Sequence, residues 1–332
     1  MLDINRDDVA FALRIVRQAA ALTQRVQQEM VLEGLTKSDL SPVTVADYAV
    51  QALVGQGIED AFPDDALIGE ESAADLRTDA GAPTLHAVAR FVAEAVSGAT
   101  PEQVCDWIDR GAASSGRRFW TVDPVDGTKG YLRGGHYAVA LALVEDGEVK
   151  LGALACPKLD RSCRAEPPGD GALLIACRGD GAWCTALADV GAAFDQLQVS
   201  SCTDATHARI LRSFESGHTH AGDIDAIADH LYVTLEPVRM DSQAKYAVLA
   251  SGGAELLLRL LAPGKRDYKE KIWDQAAGAI ILEEAGGRIT DLYGQPLDFS
   301  QGRTLANNTG VFASNGALHE RGLEAIRAVG AV

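Results

Sequence analysis

The stretch Asp123-Pro124-Val125-Asp126-Gly127-Thr128-Lys129-Gly130 sets two carboxylates three residues apart, beside a hydroxyl and two glycines. The apolar run 119–122 before it reads as a buried strand. Pro124 and Gly127 are expected to take the backbone out of that strand and into a turn. Two acids on one tight turn repel each other unless a positive charge lies between them. A hard divalent cation answers that need, because Mg²⁺ takes oxygen ligands, usually one or two carboxylates plus substrate phosphate. Thr128 adds a hydroxyl, and Gly127 lets backbone amides approach an anion closely. Taken alone, the stretch reads first as a solvated, acid-rich surface turn.

The elements that must position these groups follow from periodicity. Val9, Leu13, Val16 and Ala20 recur at helical spacing and predict a long amphipathic helix over 6–33. Thr44 is expected to cap a second helix that runs to about residue 62. Asp47 would then stand at the third helical position, where an acid offsets the helix dipole. A short strand, 66–68, delivers Gly69-Glu70-Glu71-Ser72 at its end. Helices are expected over 86–96 and 101–110. Strands 137–144 and 148–155 should pair over Asp146-Gly147, a strong turn signal, and 173–177 with 182–185 make a second hairpin. After residue 199 the texture changes. Strands at 209–213, 255–260, 288–290 and 310–313 alternate with helices at 224–231, 242–251, 272–284 and 318–328, as in an α/β unit. This divides the chain into an α+β part, 1–198, with an antiparallel sheet, and an α/β part, 199–332. Asp274 falls in the first turn of the helix 272–284, where it again reads as a dipole-stabilising acid.

The totals narrow the function. The chain has 332 residues, 47% hydrophobic and 23% charged, with a formal charge of −17 and a pI near 4.8. Such a field repels polymeric nucleic acid and anionic membranes. It leaves room for a small anion, because bound cations reverse a local potential. No apolar run approaches a membrane span of roughly 20 residues, and the first residues lack a signal-peptide profile. The cysteines (Cys105, Cys156, Cys163, Cys177, Cys184, Cys202) form no Cys-x-x-Cys pair. That fits reduced thiols in a cytoplasmic protein rather than a disulfide framework or a zinc site. Gly-x-Ser-x-Gly and P-loop motifs are absent, which disfavours acyl chemistry and ATP hydrolysis.

Residues 36–45, 62–72, 118–157, 215–218, 241–246 and 271–304 together resemble the lithium-sensitive, magnesium-dependent phosphatase superfamily, which includes inositol monophosphatases and fructose bisphosphatases. Within it the chain is most similar to the 3′(2′),5′-bisphosphate nucleotidases. Residues 75–110 and 161–195 are unmatched in detail. The resemblance implies a layered αβαβα sandwich and a site holding two or three Mg²⁺ ions. It assigns Glu70, Asp123, Asp126, Asp274 and the carbonyl of Val125 to the metals. Asp47 and Thr128 match the pair that orients an attacking water, with Glu70 beside them. Gly127 and Thr128 would donate to the scissile phosphate. His218, Ser242, Lys245 and Arg259 would contact a nucleotide bisphosphate substrate, the cations serving its non-scissile phosphate. Without the resemblance, Lys245 reads as an exposed helix lysine and Arg259 as a rim residue.

The chemistry is coherent on its own terms. Phosphate monoesters hydrolyse very slowly uncatalysed. Two Mg²⁺ ions about 3.5–4 Å apart can clamp the attacking and leaving oxygens of an in-line displacement. Five carboxylates exceed what one Mg²⁺ uses, which argues for at least two ions. The implied reaction is removal of the 3′-phosphate of adenosine 3′,5′-bisphosphate, with 3′-phosphoadenosine 5′-phosphosulfate as a second substrate and lithium as an inhibitor. Three alternatives stay open. One is an inositol phosphate phosphatase of the same superfamily. Another is a non-catalytic nucleotide sensor. The third is a zinc hydrolase using His218 and His220, which a nearby third ligand would have to support.

Overall fold

A computed structural model describes residues 2–32, 41–165, 169–214, 221–262, 264–265 and 267–332. Helix α1, Asp7–Gln27, buries one apolar face that includes Phe11, Ile15 and Val26, and a π-helical turn, Gln28–Leu32, extends it. Helix α2 covers Pro42–Ala61. It begins three residues earlier than expected, because Pro42 is pre-set for the first helical position and lacks only an N–H that would go unpaired there. Asp47 therefore lies in the sixth position and is buried, which removes its dipole-capping role.

Strand β1, Ala66–Gly69, is followed by α3, Ala82–Ala95, and α4, Pro101–Asp109. Thr100 and Gln103 form a reciprocal capping box at the start of α4. Strand β2 spans Arg118–Asp126 and the short helix α5 spans Thr128–Leu132. The meander continues with β3, Ala138–Glu145, β4, Glu148–Cys156, β5, Ala172–Cys177, β6, Gly181–Ala186, and β7, Asp195–Gln196. These strands form one seven-stranded sheet in sequence order. It is antiparallel except that β1 runs parallel to β2.

The rest of the chain alternates. Strand β8, Ile210–Arg212, precedes α6, Ala221–His230, and β9, Val238–Arg239, precedes α7, Ala244–Ala250. Then come β10, Leu256–Arg259, α8, Ala276–Glu284, β11, Arg288–Thr290, β12, Val311–Ser314, and α9, His319–Ala328. The second sheet is five-stranded and mixed, in the order β11-β12-β10-β8-β9.

Three apolar clusters hold these layers together. Helices α1 to α4 bury Phe11, Leu53 and Trp107 with Trp120 and Leu141 of the first sheet. Helices α7 and α8 lie between the sheets, where Ile280 and Tyr246 meet Leu154 on one side and Leu257 and Ala313 on the other. Helices α6 and α9 cover the far side of the second sheet through Ile227, Leu323 and Phe312. The order is helices, sheet, helices, sheet, helices, the αβαβα sandwich implied by the resemblance. A helix that is apolar all round is what a central layer requires, and α8, with Ala276 through Leu282 buried, is such a helix.

All six cysteines are free, and only Cys202 is partly exposed. Cys163 and Cys184 lie 3.7 Å apart, sulfur to sulfur. Among the described residues no helix is long and apolar enough to cross a membrane.

Candidate active site

Glu70, Asp123 and Asp126 come together through strand register. Gly69 at the end of β1 is paired with Val122 of β2, so Glu70 leaves its strand level with Asp123. Contrary to expectation, the chain does not turn away at Pro124. β2 runs on to Asp126 and pairs with β3 across a bulge, Asp123 opposite Ala140 and Asp126 opposite Ala138. Pro124 is tolerated because β1 has already ended at Gly69, so no ladder hydrogen bond is lost. The bulge re-aims the side chains beyond it, a common device beside functional sites.

The turn itself belongs to Gly127, at φ 92°. A Cβ there would stand 2.8 Å from the Cβ of Ser242, so a side chain is excluded by both backbone and space. Ser242 is also left-handed, at φ 69°, a costly conformation for a residue with a side chain. That strain positions the next amide. Gln243 N–H donates to Asp126 Oδ2 at 2.5 Å, and its side chain donates to the Trp273 carbonyl at 2.9 Å. Gln243 Oε1 in turn accepts from the Gly278 amide at 3.1 Å. Gln243 thus ties Asp126, through its main-chain amide, to the turn that carries Asp274, through its buried side chain.

Asp274 sits just ahead of α8, which starts at Ala276 rather than at 272. The Ile272 carbonyl accepts from both Gln275 and Ala276, making that approach a turn.

One cavity of about 620 Å³ collects most of the expected site. Glu70, Asp123, Val125, Asp126 and Asp274 line it, with Gly127, Thr128, Ser242, Lys245 and Arg259. Asp47 is absent from that wall and is buried in α2, where the charges of Glu71 and Glu70 reach it. His218 and His220 lie outside the described residues. Lys245 is 6% exposed, which overturns the reading of it as a surface lysine. Its Nζ donates to Ser213 Oγ at 2.9 Å. Arg259 is held at 2.6 Å by Glu270 and at 3.5 Å by Asp274.

The acids are uncomfortable as a bare set. Burial, then the charges of Glu71, Asp274 and Asp126, push Glu70 up to about 7. Burial also raises Asp274 to about 7, with Arg259 opposing and Asp126 and Glu270 adding to it. Asp123 is raised well above the carboxylate range by burial and by Asp126, Glu70 and Asp274. Asp126 rises through burial, restrained by Arg259 and by the Gln243 amide. Lys245 is pulled down to about 8 by burial and by the neighbouring Arg259 charge.

Among the described residues no three His, Cys, Asp or Glu side chains are drawn together into a closed metal cage. The donor set nevertheless fits hard cations. Asp123 Oδ1 is buried without a hydrogen-bond partner, and four mutually repelling carboxylates line one open cavity. Mg²⁺ is commonly held by a few carboxylates while substrate phosphate and water complete its shell, so an open half-set suits it.

The profile of the inositol monophosphatase family matches residues 5–331. The chain belongs to the inositol monophosphatase family. The similarity to bisphosphate nucleotidases noted from the motifs is also borne out. A 3′(2′),5′-bisphosphate nucleotidase of Emericella nidulans is 41% identical, covering 95% of this chain and 96% of that one. One from Schizosaccharomyces pombe is 39% identical, covering 96% of this chain and 94% of that one. Among solved structures, the Thermotoga maritima IMPase aligns over 98% of both chains with a TM-score of 0.63 at 20% identity. Mycobacterium tuberculosis SuhB covers 96% of this chain and 95% of its own, with a TM-score of 0.61 at 20% identity. These two share the fold.

Sequence reasoning missed three residues that organise the site of this inositol monophosphatase family member. Gln243 and Glu270 are buried polar side chains, the first with partners far away in sequence and the second holding Arg259 from another element. Arg303 donates to the carbonyls of Gly69 and Gly111. No periodicity or local motif marks any of them, because each acts across the layers rather than along the chain.

Proposed function

We propose that this protein is a Mg²⁺-dependent 3′(2′),5′-bisphosphate nucleotidase that hydrolyses the 3′-phosphate of adenosine 3′,5′-bisphosphate, giving AMP and phosphate. The supporting observation is a nucleotide-sized cavity whose wall carries Glu70, Asp123, Asp126 and Asp274 together with the cations Lys245 and Arg259. A cavity of several hundred Å³ is the usual scale for such a ligand. The names of the nucleotidase relatives agree with that reading.

Glu70, Asp123, Asp126, Asp274 and the Val125 carbonyl would hold two or three Mg²⁺ ions, which when bound neutralise phosphoryl charge and make water a usable nucleophile. The protein's own groups do the rest. Thr128 and the backbone at Gly127 present donors to the scissile phosphate. Thr128 also orients water at the phosphorus, while buried Asp47, kept protonation-prone by burial and by Glu71 and Glu70, sits behind Glu70 as the proton-holding partner. Ser242, Lys245 and Arg259, with His218, contact the nucleotide. Arg259 does so while tethered to Glu270, which fixes its fork. 3′-Phosphoadenosine 5′-phosphosulfate is proposed as a second substrate, and lithium as an inhibitor that competes for a cation position.

The test is phosphate release from adenosine 3′,5′-bisphosphate and inositol 1-phosphate, side by side in Mg²⁺. A higher kcat/KM for the bisphosphate is expected. Preference for the inositol ester would replace this reading with an inositol phosphatase.

A further inference from the structure

Two acids on the cavity wall are outside the set assigned to metal, Asp225 and Asp241. Each is held by an arginine. Arg212 bonds Asp225 at 2.6 Å, and Arg133 Nη2 donates to Asp241 Oδ2. Asp241 lies against the turn that would meet the scissile phosphate. A Cβ on Gly130 would stand 3.3 Å from Asp241 Oδ2 and 2.0 Å from the His136 carbonyl, so only glycine admits the carboxylate this close to α5. Ser242, the next residue, is packed against Gly127 in the same manner. The Asp241 side chain is only 13% exposed, whereas that of Arg133 is 45% exposed. Arg133 caps the far end of α5 and, among the described residues, is not part of the cavity wall. It reaches Asp241 from the solvent side. Its guanidinium also lies 5.7 Å from the ring of Phe214, which does line the cavity.

We infer that Arg133 is a positioning residue for phosphate-ester turnover: it pins the Asp241 carboxylate against α5 and cancels its charge, so that this acid does not repel the incoming phosphoryl group. The inference rests on the nucleotidase reading for its substrate and explains how that site tolerates an acid it does not use for metal. A bare carboxylate beside a phosphate-binding turn disfavours a second anion there. Taking away one member of a mostly buried pair leaves the other charge uncompensated. A planar fork that can stack on an aromatic ring while bonding a carboxylate suits an arginine at this position. Arg133 needs no contact with substrate, because it acts through Asp241.

The experiment is a double-mutant cycle on the full chain in Mg²⁺, with Arg133→Gln, Asp241→Asn and the two combined. Adenosine 3′,5′-bisphosphate and inositol 1-phosphate are the substrates. The cycle isolates the Arg133–Asp241 contact from anything else that Arg133 touches. Arg133→Gln is expected to raise KM at least about 10-fold, the scale of losing one partner of a hydrogen-bonded charge pair. Asp241→Asn should stay within about 3-fold of the wild type, and the double variant should return to that range, because no bare carboxylate remains. A double variant as impaired as Arg133→Gln, or an unchanged KM in Arg133→Gln, would overturn the inference. So would a large KM rise in Asp241→Asn, which would make the carboxylate itself a ligand. If the wild type prefers the inositol ester, the nucleotidase reading fails, and the same cycle read on that ester still judges Arg133. Thermal melting checks that each variant is folded. Should Arg133→Gln not fold, Arg133→Lys keeps the charge and should hold KM near the wild-type value, and a rise of about 10-fold there would refute the charge-cancelling role.

Discussion

The guanidinium of Arg303 lies 4.8 Å from the Trp273 ring while its nitrogens donate to the Gly69 and Gly111 carbonyls. Gly69 precedes Glu70, and Trp273 precedes Asp274. One side chain thereby spaces two carboxylates that are delivered by different parts of the fold. Cation–π stacking and two carbonyl bonds fix the planar group in place, and an ammonium could not reproduce that fork.

Arg303→Met is expected to lower kcat about 10–100-fold through misplacement of Glu70. It should also raise the Mg²⁺ concentration needed for half-maximal rate. A Mg²⁺ titration of wild type and variant checks this, with Arg303→Lys restoring less than half of the lost rate. An unchanged Mg²⁺ dependence would reduce Arg303 to a packing residue.

Asp126→Asn should abolish turnover, by about 10³-fold or more if Asp126 helps stabilise developing charge. The fold should persist, because the carboxamide oxygen of the substituted side chain can still accept from the Gln243 amide. Mg²⁺ alone should raise the Tm of the wild type, since a ligand that binds only the folded state stabilises it. Asp126→Asn should lose most of that shift. Kinetics and melting with and without chelator check both statements, and a wild-type rate would remove Asp126 from the site.

Gly127→Ala should cost about 1–2 kcal/mol for the left-handed backbone alone. Its Cβ also meets Ser242 at 2.8 Å, so turnover should fall further than stability. Denaturant melts combined with kcat measurements separate the two effects.

His319 offers a stability prediction away from the site. It is fully buried, stacked 4.7 Å from Phe312, and pushed down to about 4, chiefly by burial and then by Arg288. Thr290 Oγ donates to the Asp291 carbonyl and lies 3.0 Å from Nε2. Ser314 Oγ accepts the Gly316 amide and lies 2.9 Å from Nδ1. The network assigns a neutral ring that donates from Nε2 to Thr290 and accepts at Nδ1 from Ser314. The folded pKa is below the unfolded value, so the unfolded chain binds the extra proton first. Stability is full above pH 6.5 and falls as pH drops toward about 4, by about 3 kcal/mol in all. Denaturant unfolding at pH 7 and pH 4.5 should show a larger loss in wild type than in His319→Gln. Equal losses would refute the assignment.

The strands and hairpins were legible because alternation and Asp-Gly turns are local signals, as at Asp146-Gly147, where Asp146 and Gly147 both have positive φ. The acids were legible through their motif, since Asp123 and Asp126 stand three apart with Gly127 directly after them. Pro124 misled, because a proline reads as a break unless one knows that β1 stops short of it. The start of α2 misled for the related reason that Pro42, two residues upstream of Thr44, is itself a helix starter. Gln243, Glu270 and Arg303 carried no sequence signal. Their roles exist only once two sheets and the helices between them are stacked.

The bulge in β2 also sets a rule for variation. Three steps along β2, from Asp123 to Asp126, answer two steps along β3, from Ala140 to Ala138. A one-residue slip in a strand swaps which side its groups face. Homologous chains can therefore exchange the residues between these acids, but an insertion or deletion there would swing one acid away from the other. Gap-free spacing at this point, more than residue identity, is what drift and protein engineering must respect.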